Sequence, residues 1–470
     1  MGSEIVRLGE LLEVLTDYHA NGAYVKLKEN VELLDKPNYA AMIRTTNFEQ
    51  NNFDTSLKYI DEHAYDFLKK SKVYAGDLIM NKIANAGSCY LMPELGMPVS
   101  LAMNLFLLRV NQKKANPSYV YLYLKLNEAY VKNFANGSVT KTITKDAVRN
   151  LEIVLPARKI QDDIVATYSA YTGKIQLNRQ TNQTLEQMAK ALFKSWFVDF
   201  DPVIDNALAA GNPIPPELEQ KAQVRAAAQA SQAKPGAHPH DHASELPQHL
   251  RELFPSEFEH TEALGWMPKG WGVGSLSDIA DYEKEKTNTA ELNLENYVST
   301  ENMNKEKSGI STAAKLASTD QVPIFSVGQT LISNIRPYFK KIWFASFNGG
   351  RSNDVLCFQA KYKDVNEYLY SLLYQDTFFE YMTVTSKGTK MPRGDKKAIM
   401  DWPVVLPTLN LMEEFSKIIK PSFLANQLRI TESSTLIQMR DTLLPKLISG
   451  ELRLPVAETD APSLTDEASV

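Results

Sequence analysis

Two stretches of the chain carry apolar residues at intervals of three and four, the spacing of one helix face. The first runs from about residue 158 to 196, with stripe positions Ile160, Ile164, Tyr168, Tyr171, Ile175, Asn178, Asn182, Leu185, Met188 and Leu192. The second runs from about residue 409 to 444, with stripe positions Leu411, Phe415, Ile419, Phe423, Leu428, Leu436, Met439 and Leu443. This pattern predicts two long helices with seams of the coiled-coil type, the second kinked at Pro421.

A long amphipathic helix is marginally stable by itself because its apolar stripe needs a partner. Two such stripes in one chain favour antiparallel packing of one helix on the other. At ~1.5 Å per residue the first helix would be on the order of 55 Å long. We therefore expect two globular lobes separated by a rod of two antiparallel helices.

The two lobes are predicted to be repeats of one another. The segment 137–156 matches the segment 388–407 without a gap, and Thr45 and Asn47 match Thr300 and Asn302 further upstream. Each half reads as short strands, turns and helices followed by one long helix, so the predicted fold class is α+β with two pseudo-repeated α/β lobes. The predicted divisions are lobe 1, 1–156; first long helix, 157–200; acidic, partly flexible linker, 201–262; lobe 2, 263–407; second long helix, 408–450; and acidic tail, 451–470.

The formal net charge of −5 over 470 residues, with a pI near 5.9, at first argues against a nucleic-acid partner. The acidic excess is local, however. Residues 201–262 hold ten Asp and Glu against four Lys and Arg, and residues 451–470 hold five against one. The rest of the chain therefore carries a formal charge of +5, so the composition does not exclude DNA but predicts weak binding by this chain alone.

The sequence offers no motif that carries a reaction. It contains no phosphate-binding G-x-x-x-x-G-K-[ST] loop, no G-x-S-x-G nucleophile elbow and no H-E-x-x-H zinc motif. Its two cysteines, Cys89 and Cys357, are too few for a disulfide framework or a cysteine-rich zinc site. No apolar run is long enough to span a membrane and no signal segment is evident, so we expect a cytoplasmic, non-catalytic chain without its own metal or cofactor.

Polar and cationic side chains recur in turn-rich segments of both halves. Arg and Lys can bond guanine, Asn can bond adenine, and Ser and Thr can hold phosphates, so these residues are candidates for DNA contact. In the first half they are Arg44, Thr45, Asn47, Asn81, Lys82, Asn136, Ser138, Thr140, Lys141, Thr142 and Lys145. In the second half they are Asn302, Asn334, Arg336, Tyr338, Lys340, Arg351, Lys387, Lys390, Arg393 and Lys396. A two-lobed coiled-coil adaptor that binds no DNA would also lack catalytic motifs, and the residues alone leave both functions open.

Several segments resemble the specificity subunits of type I restriction-modification systems: ALFKSWFVDFDPV at 191–203, LFPSEF at 253–258 followed by LGWMPKGW at 264–271, YVSTENM at 297–303, and LLPKLISGELRL at 443–454. The resemblance covers about residues 1–455. It implies two target-recognition domains, each reading one half of a split asymmetric DNA sequence, with antiparallel helices that set the gap between the halves. It also implies that S-adenosylmethionine, ATP and Mg are bound by partners, namely two methyltransferase subunits and the restriction subunits.

The predicted rod ends in aromatic and apolar residues, which are the candidates for contact with those partner subunits: Phe193, Trp196, Phe197, Phe200 and Leu447. The alternative is that they pack within the chain and cap the rod against the next lobe. Exposed patches and core edges have the same composition, so the sequence leaves the two open.

Overall fold

The computed structural model describes residues 3–137, 140–232 and 246–453, and the chain divides into two compact units. Unit 1 comprises residues 1–177 and 432–470, and unit 2 comprises residues 178–431. The boundaries between the units fall inside the two long helices. Each unit therefore combines one lobe with one half of each helix, whereas the sequence-based division treated each helix as a segment of its own.

Unit 1 contains two four-stranded sheets and a strand pair. Its elements before the first long helix are β1 (Glu4–Arg7), α1 (Leu8–Leu11), β2 (Leu12–Asp17), α2 (Tyr24–Asn30), β3 (Ala40–Ile43), α3 (Thr45–Glu49), β4 (Lys58–Ile60), α4 (Glu62–Phe67), β5 (Lys72–Val73), β6 (Leu78–Asn81), β7 (Cys89–Leu91), β8 (Val99–Leu101), β9 (Leu105–Val110), α5 (Pro117–Leu126), α6 (Glu128–Lys132), α7 (Lys145–Arg149) and β10 (Glu152–Leu155). The strand orders are β2-β9-β6-β7 and β4-β3-β8-β5, and β1 pairs antiparallel with β10. Neighbours in these sheets run antiparallel except β3 and β8, where Ala41 lies opposite Val99 in a parallel pair.

The core of unit 1 lies on both faces of the β2-β9-β6-β7 sheet. Strand β9 is buried almost throughout because its apolar residues alternate between the two faces. Phe106 and Leu108 face a cluster that includes Tyr119 of α5, while Leu107 faces the second sheet.

Two long helices, α8 (Arg158–Phe197) and α16 (Leu409–Ser449), contribute to both units and match the helices predicted from the stripes. Helix α16 continues through Pro421. The stripe positions are buried in the middle of α8, where Ile175 and Asn178 are 4% and 2% exposed. Four other stripe assignments were wrong, because these side chains are exposed: Ile160 (42%), Met188 (62%), Leu428 (71%) and Met439 (46%). A stripe with alternating steps of three and four residues repeats every 3.5 residues, whereas an α-helix turns once every 3.6 residues. The stripe therefore drifts around the helix, and near the lobe Phe193 lies on the buried face.

Within each unit the two helix halves run antiparallel. The contacts that establish this direction are Tyr168 with Arg440 and Lys174 with Glu432 in unit 1, and Asn182 with Asn426 and Phe193 with Phe415 in unit 2. In both units the residue numbers rise along α8 as they fall along α16.

Unit 2 begins with helices and continues with strands. Its elements apart from the long helices are α9 (Asp201–Ala210), α10 (Glu219–Gln232), α11 (Gln248–Arg251), β11 (Phe258–Thr261), β12 (Gly265–Pro268), β13 (Gly272–Ser275), α12 (Leu276–Ile279), β14 (Ala280–Tyr282), β15 (Lys286–Asn288), β16 (Tyr297–Val298), β17 (Gln321–Phe325), β18 (Thr330–Ser333), β19 (Ile342–Phe344), β20 (Gly349–Arg351), β21 (Val355–Ala360), α13 (Asn366–Leu373), α14 (Asp376–Val384), α15 (Lys396–Met400) and β22 (Pro403–Leu406). The predicted repeat is confirmed by the sheet order. The order β14-β21-β18-β19 repeats β2-β9-β6-β7, the pair β13-β22 repeats β1-β10, and the parallel pair of β16 and β20 repeats that of β3 and β8.

The predicted linker is ordered over much of its length. Helices α9 and α10 occupy residues 201–232, and Val203 and Ile204 are fully buried. Arg225 of α10 forms ion pairs with Asp201 and Asp205 of α9. Apolar burial and ion pairs hold these two helices, and the flexibility expected for part of the linker stays a prediction. Residues 233–245 of the linker and 454–470 of the tail lie outside the described residues. In the described part of the chain, no helix is both long enough and apolar enough to cross a membrane.

Candidate nucleic-acid interface

In unit 1, a loop closes against the end of a central strand. Asn136 and Thr142 exchange backbone hydrogen bonds of 2.8 Å in both directions, which closes a loop at its two ends. The N–H of Ile143 then donates to the carbonyl of Lys82 at 3.0 Å, directly after Asn81 ends strand β6. Two separate groups of predicted DNA-contacting residues are thereby brought side by side.

Unit 2 repeats this arrangement with different residues. Lys387 and Arg393 exchange backbone hydrogen bonds of 2.8 and 2.9 Å, and the N–H of Arg336 donates to the carbonyl of Pro392 at 2.8 Å. Asn334 directly follows β18, the counterpart of β6. We call these two surfaces the paired loops: residues 81–87 with 136–142 in unit 1, and residues 334–341 with 387–393 in unit 2.

A glycine stands at the same point of both closed loops. Gly137 and Gly388 have φ values of 127° and 99°, in the region that favours glycine. A Cβ at Gly137 would lie 2.3 Å from the carbonyl oxygen of Thr140. The glycine shared by the two sequence repeats is therefore required by the backbone of the loop.

A buried carboxylate, that of Asp17, organises the cations of the unit 1 loops. The Asp17 carboxylate pairs with Lys82 at 3.1 Å and with Lys145 at 3.0 Å. Burial alone would raise the pKa of Asp17, but the hydrogen bonds from the two lysines outweigh it and hold the pKa below its usual value. The two lysines are thus fixed in place, and part of their charge is neutralised within the protein.

The cations of unit 2 are likewise paired with acids. Arg393 pairs with Asp354 at 3.1 Å, and Lys387 pairs with Asp395. Lys340 shares Asp376 with Lys307, at 2.9 and 2.8 Å, and their hydrogen bonds lower the pKa of Asp376 to about 2. Of these acids only Asp395, which directly precedes Lys396, has a signal in the sequence.

Other predicted residues of the paired loops are open to solvent. Exposed side chains include Asn136, Thr140, Lys141 and Lys390, and Tyr338 is 47% exposed; Lys396, which begins α15 next to the loops, is exposed as well. Within the described ranges, Lys141 and Lys390 take part in no ion pair. Ser138 lies outside the described residues. Exposed amides, hydroxyls and ammonium groups on these loops form the kind of surface that can contact phosphates and base edges.

Asn47 and Asn302 are buried and organise their own loops. Their side-chain oxygens accept hydrogen bonds from the backbone N–H of Arg44 at 2.9 Å and of Ser299 at 2.6 Å. Their side-chain nitrogens donate to backbone carbonyls, including that of Ser311. Asn47 is 0% exposed and Asn302 is 5% exposed. Burial and internal bonding argue against the predicted base contact for both residues. The neighbours Arg44 and Thr45 remain half-buried at the rim of the first loop.

Three further candidates for DNA contact are buried: Arg351, Asn81 and Asn334. The Arg351 guanidinium donates to three backbone carbonyls, including that of Glu283 at 2.7 Å, and burial lowers its pKa. Asn81 and Asn334 are 0% and 5% exposed at equivalent strand ends. Their side-chain oxygens are buried without a hydrogen-bond partner among the described residues. Cys357, beside Arg351, is also buried, which raises its thiol pKa to about 12.

The predicted partner-binding residues belong to the cores. Phe193, Trp196, Phe197 and Phe200 are at most 8% exposed and lie in one aromatic cluster of unit 2. Leu447 is 5% exposed in the core of unit 1. Direct contact of these side chains with a partner subunit is therefore not supported. The alternative of intramolecular capping is what the structure shows, because each lobe offers an apolar surface to its helix halves.

A basic cleft in unit 1 was missed by the sequence analysis. Its lining includes Lys69, Lys70, Lys72 and Arg109, around a volume of about 290 Å³. Arg109 lies over the ring of Tyr74 at 4.5 Å. The run Lys69-Lys70-Ser-Lys72 was a visible signal in the sequence. Within the described residues, no group of three His, Cys, Asp or Glu side chains is placed to hold a metal ion.

Comparison with known proteins gives consistent similarities. Residues 2–187 match the family model described as type I restriction modification DNA specificity domain. The chain is 25% identical over 414 residues to the type I restriction enzyme HindI specificity subunit of Haemophilus influenzae. This match covers 82% of this chain and 88% of that protein. It is 24% identical over 344 residues to the MjaIX specificity subunit of Methanocaldococcus jannaschii, covering 72% and 69%. The crystal structure of a type I restriction-modification S subunit from M. genitalium has a similar fold, with a TM-score of 0.58 at 12% identity over 95% of this chain and 96% of that chain.

Proposed function

We propose that this chain, which is similar to type I restriction-modification specificity subunits, selects the DNA target of such a system. Unit 1 reads one half of a split, asymmetric sequence, and unit 2 reads the other half. The observation that supports this proposal is the recurrence of the paired loops at equivalent strand ends of both units. The relatives are named specificity subunits, so the alternative function, a two-lobed coiled-coil adaptor that binds no DNA, has no support.

The paired loops combine one backbone design with two sets of side chains. Thr140, Lys141 and Thr142 in unit 1 occupy the positions of Met391, Pro392 and Arg393 in unit 2 when the repeats are aligned. Base identity is read by side chains, whereas backbone amides and cations hold phosphates. Two units of the same fold with different loop side chains would therefore recognise two different half-sites.

Specificity subunits are non-catalytic, and we propose that the chemistry of the complex belongs to partner subunits. In our proposal two methyltransferase subunits bind S-adenosylmethionine and methylate adenine in the target. Restriction subunits bind ATP and Mg and cut the DNA. The chain itself contributes recognition and a scaffold for these partners.

Internal ion pairs limit how strongly this chain grips DNA by itself. Four of the candidate cations already form an ion pair with an acid of the same unit: Lys82, Lys145, Lys387 and Arg393. DNA phosphates must compete with these carboxylates, so each contact gains less than a free cation would. Much of the phosphate binding in the complex should come from its partners.

The test is binding of duplex DNA by the chain assembled with its methyltransferase subunits. The target is first identified by mapping methylated adenines in a host that carries the system. We expect the assembled complex to prefer this duplex over one with either half-site scrambled, and log affinity to fall linearly with log salt. The proposal is wrong if the methyltransferase subunits bind with the same preference without this chain, or if the purified chain methylates DNA alone.

A further inference from the structure

The turn after β18 has an unusual backbone. Arg336 and Lys340 have φ values of 51° and 49°, on either side of a 3-10 turn formed by Pro337–Phe339. Residues other than glycine rarely adopt this left-handed region. Two of them within five residues indicate that the surrounding structure enforces the shape of the turn, and such enforced conformations cluster at functional sites.

A second segment with the same feature holds the turn from the other side. Glu306 and Lys307 have φ values of 52° and 58°. The N–H of Glu306 donates to the carbonyl of Phe339, and the N–H of Lys307 donates to the carbonyl of Lys340, both at 2.9 Å. Together with the Arg336 bond to the 387–393 loop, these contacts make the turn rigid.

Tyr338 is the side chain of this turn that remains outside. Pro337 is buried, and Phe339 is covered by Lys305, whose ammonium lies 4.1 Å from the ring centroid. The Tyr338 ring packs edge-on against Phe339 at 4.8 Å and is otherwise open to solvent, with 47% of the residue exposed. Cations stand on both sides of it in the chain, at Arg336 and Lys340.

Unit 1 has no aromatic side chain at the corresponding place. Its turn after β6 reads Lys82-Ile-Ala-Asn-Ala-Gly87. Ala84 there is left-handed, with a φ of 66°, so the backbone is strained in a similar way. The side chains differ: the turn of unit 1 is small and polar at its tip, and that of unit 2 carries an aromatic ring.

We propose that Tyr338 is a DNA wedge that inserts at a base step of the half-site read by unit 2, a role that rests on the proposed function. Proteins that kink DNA commonly insert an apolar side chain between base pairs while neighbouring cations hold the flanking phosphates. A rigid turn favours such insertion because the ring loses little freedom on binding. Lys340 is paired with Asp376, so the cations that favour DNA over a protein surface as the partner are Arg336 and the exposed Lys305, for which the described residues supply no ion pair. Unit 1 lacks a wedge, so the DNA is distorted at the unit 2 half-site only.

The experiment places 2-aminopurine, whose fluorescence rises on unstacking, at successive positions of both half-sites of the mapped target. The complex of the full chain with its methyltransferase subunits is then added. We expect a fluorescence rise at one step of the unit 2 half-site. The rise should disappear with Tyr338→Ala and persist with Tyr338→Phe, and affinity should fall roughly 10-fold for Tyr338→Ala. Tyr362→Ala removes another tyrosine of unit 2, 44% exposed, and should change neither.

Each other outcome has a defined meaning. If the complex binds its target specifically but no position in the unit 2 half-site brightens, or if the rise survives Tyr338→Ala, the wedge is wrong and the proposed function stands. If Tyr338→Ala weakens assembly with the methyltransferase subunits and leaves the fluorescence intact, Tyr338 contacts protein and the wedge is again wrong. If no sequence preference exists at all, the proposed function itself fails. Thermal unfolding of each variant separates these outcomes from misfolding.

Discussion

The side-chain amide of Asn182 in α8 donates a 3.3 Å hydrogen bond to the backbone carbonyl of Asn426 in α16, inside unit 2. Asn182 is 9% exposed, and its own carbonyl oxygen is buried without a hydrogen-bond partner among the described residues. Asn178, one turn earlier, is also buried. Polar residues at seam positions of paired helices select one register at a cost in stability. The buried asparagines of α8 therefore fix how this helix half lies against α16.

Replacing Asn182 by Leu should stabilise the helix pair of unit 2. The substitution removes an unpaired buried acceptor and adds apolar burial, together worth about 1–2 kcal/mol. Hydrogen exchange of the α8 amides in residues 178–197 would show the gain as slower exchange. Asn182→Ala also removes the unpaired acceptor but leaves a void, so it should gain less than Leu. Faster exchange in the Leu variant than in the wild type would contradict a register role for Asn182.

Asp17→Asn should destabilise unit 1 by about 1–3 kcal/mol at neutral pH, because two lysines lose a charged hydrogen-bond partner. The lysines hold the pKa of Asp17 below its usual value of 3.8, so its stabilisation is present above that pH and is lost as the pH falls below it. The deficit of the variant, measured by urea unfolding, should accordingly shrink toward pH 3.

The same substitution should strengthen non-specific DNA binding, because one negative charge beside two lysines is removed.

Asp66→Asn is the matched control for the stability measurement on Asp17→Asn. Asp66 pairs with Lys72 at 3.1 Å, but its side chain is 66% exposed, so the loss in stability should be small. Equal destabilisation by the two variants would show that the Asp17 pair is an ordinary surface pair.

Glu367→Gln should stabilise unit 2 at neutral pH. Glu367 is 7% exposed, and burial raises the pKa of its carboxyl group. For an acid with a raised pKa in the folded state, stability is full below the unfolded pKa and declines as the pH rises through the folded one. The neutral amide avoids this decline, so Tm at pH 7 should rise by on the order of 2 °C. The gain should vanish near pH 4, and the exposed Glu380→Gln should show none. A gain that does not depend on pH would point to packing instead.

Lys141→Ala and Lys390→Ala should each weaken DNA binding by the complex without changing which sequence is preferred. Both side chains are exposed on equivalent closed loops, where they are placed to neutralise phosphates. Losing one phosphate contact should reduce the slope of log affinity against log salt by about 0.9. Lys363→Ala, whose side chain is 92% exposed outside the paired loops, should leave the slope unchanged. Altered preference at one base pair would instead assign base contact to the substituted lysine.

The long helices were predictable because their signal is local and repeated. Helix α8 begins at Arg158 and ends at Phe197, within one residue of the predicted bounds. Helices α9 and α10 were missed as structure because an acidic, alanine-rich composition resembles a linker. Their order depends on Val203 and Ile204 packing into unit 2 and on the Arg225 ion pairs, neither of which is visible from composition.

The candidate surface was predictable as a set of segments but not residue by residue. The match between 137–156 and 388–407 identified the two segments, and the structure closes a loop in each and brings it to the end of a strand, near Asn81 in unit 1 and near Asn334 in unit 2. Within those segments the sequence could not tell exposed Lys141 from buried Asn47. Both are polar residues near turns, and only their neighbours in space decide which one faces solvent.

The sequence by itself determined the two long helices and the internal repeat and showed the resemblance to a known family, because periodicity and motif spacing are properties of the chain read in order. The tertiary structure decided which polar groups are available. It buried Arg351 among backbone carbonyls, paired Lys82 with Asp17, and left Tyr338 outside a rigid turn. Burial and ion pairing depend on residues far apart in the sequence, and these contacts set how a side chain can act.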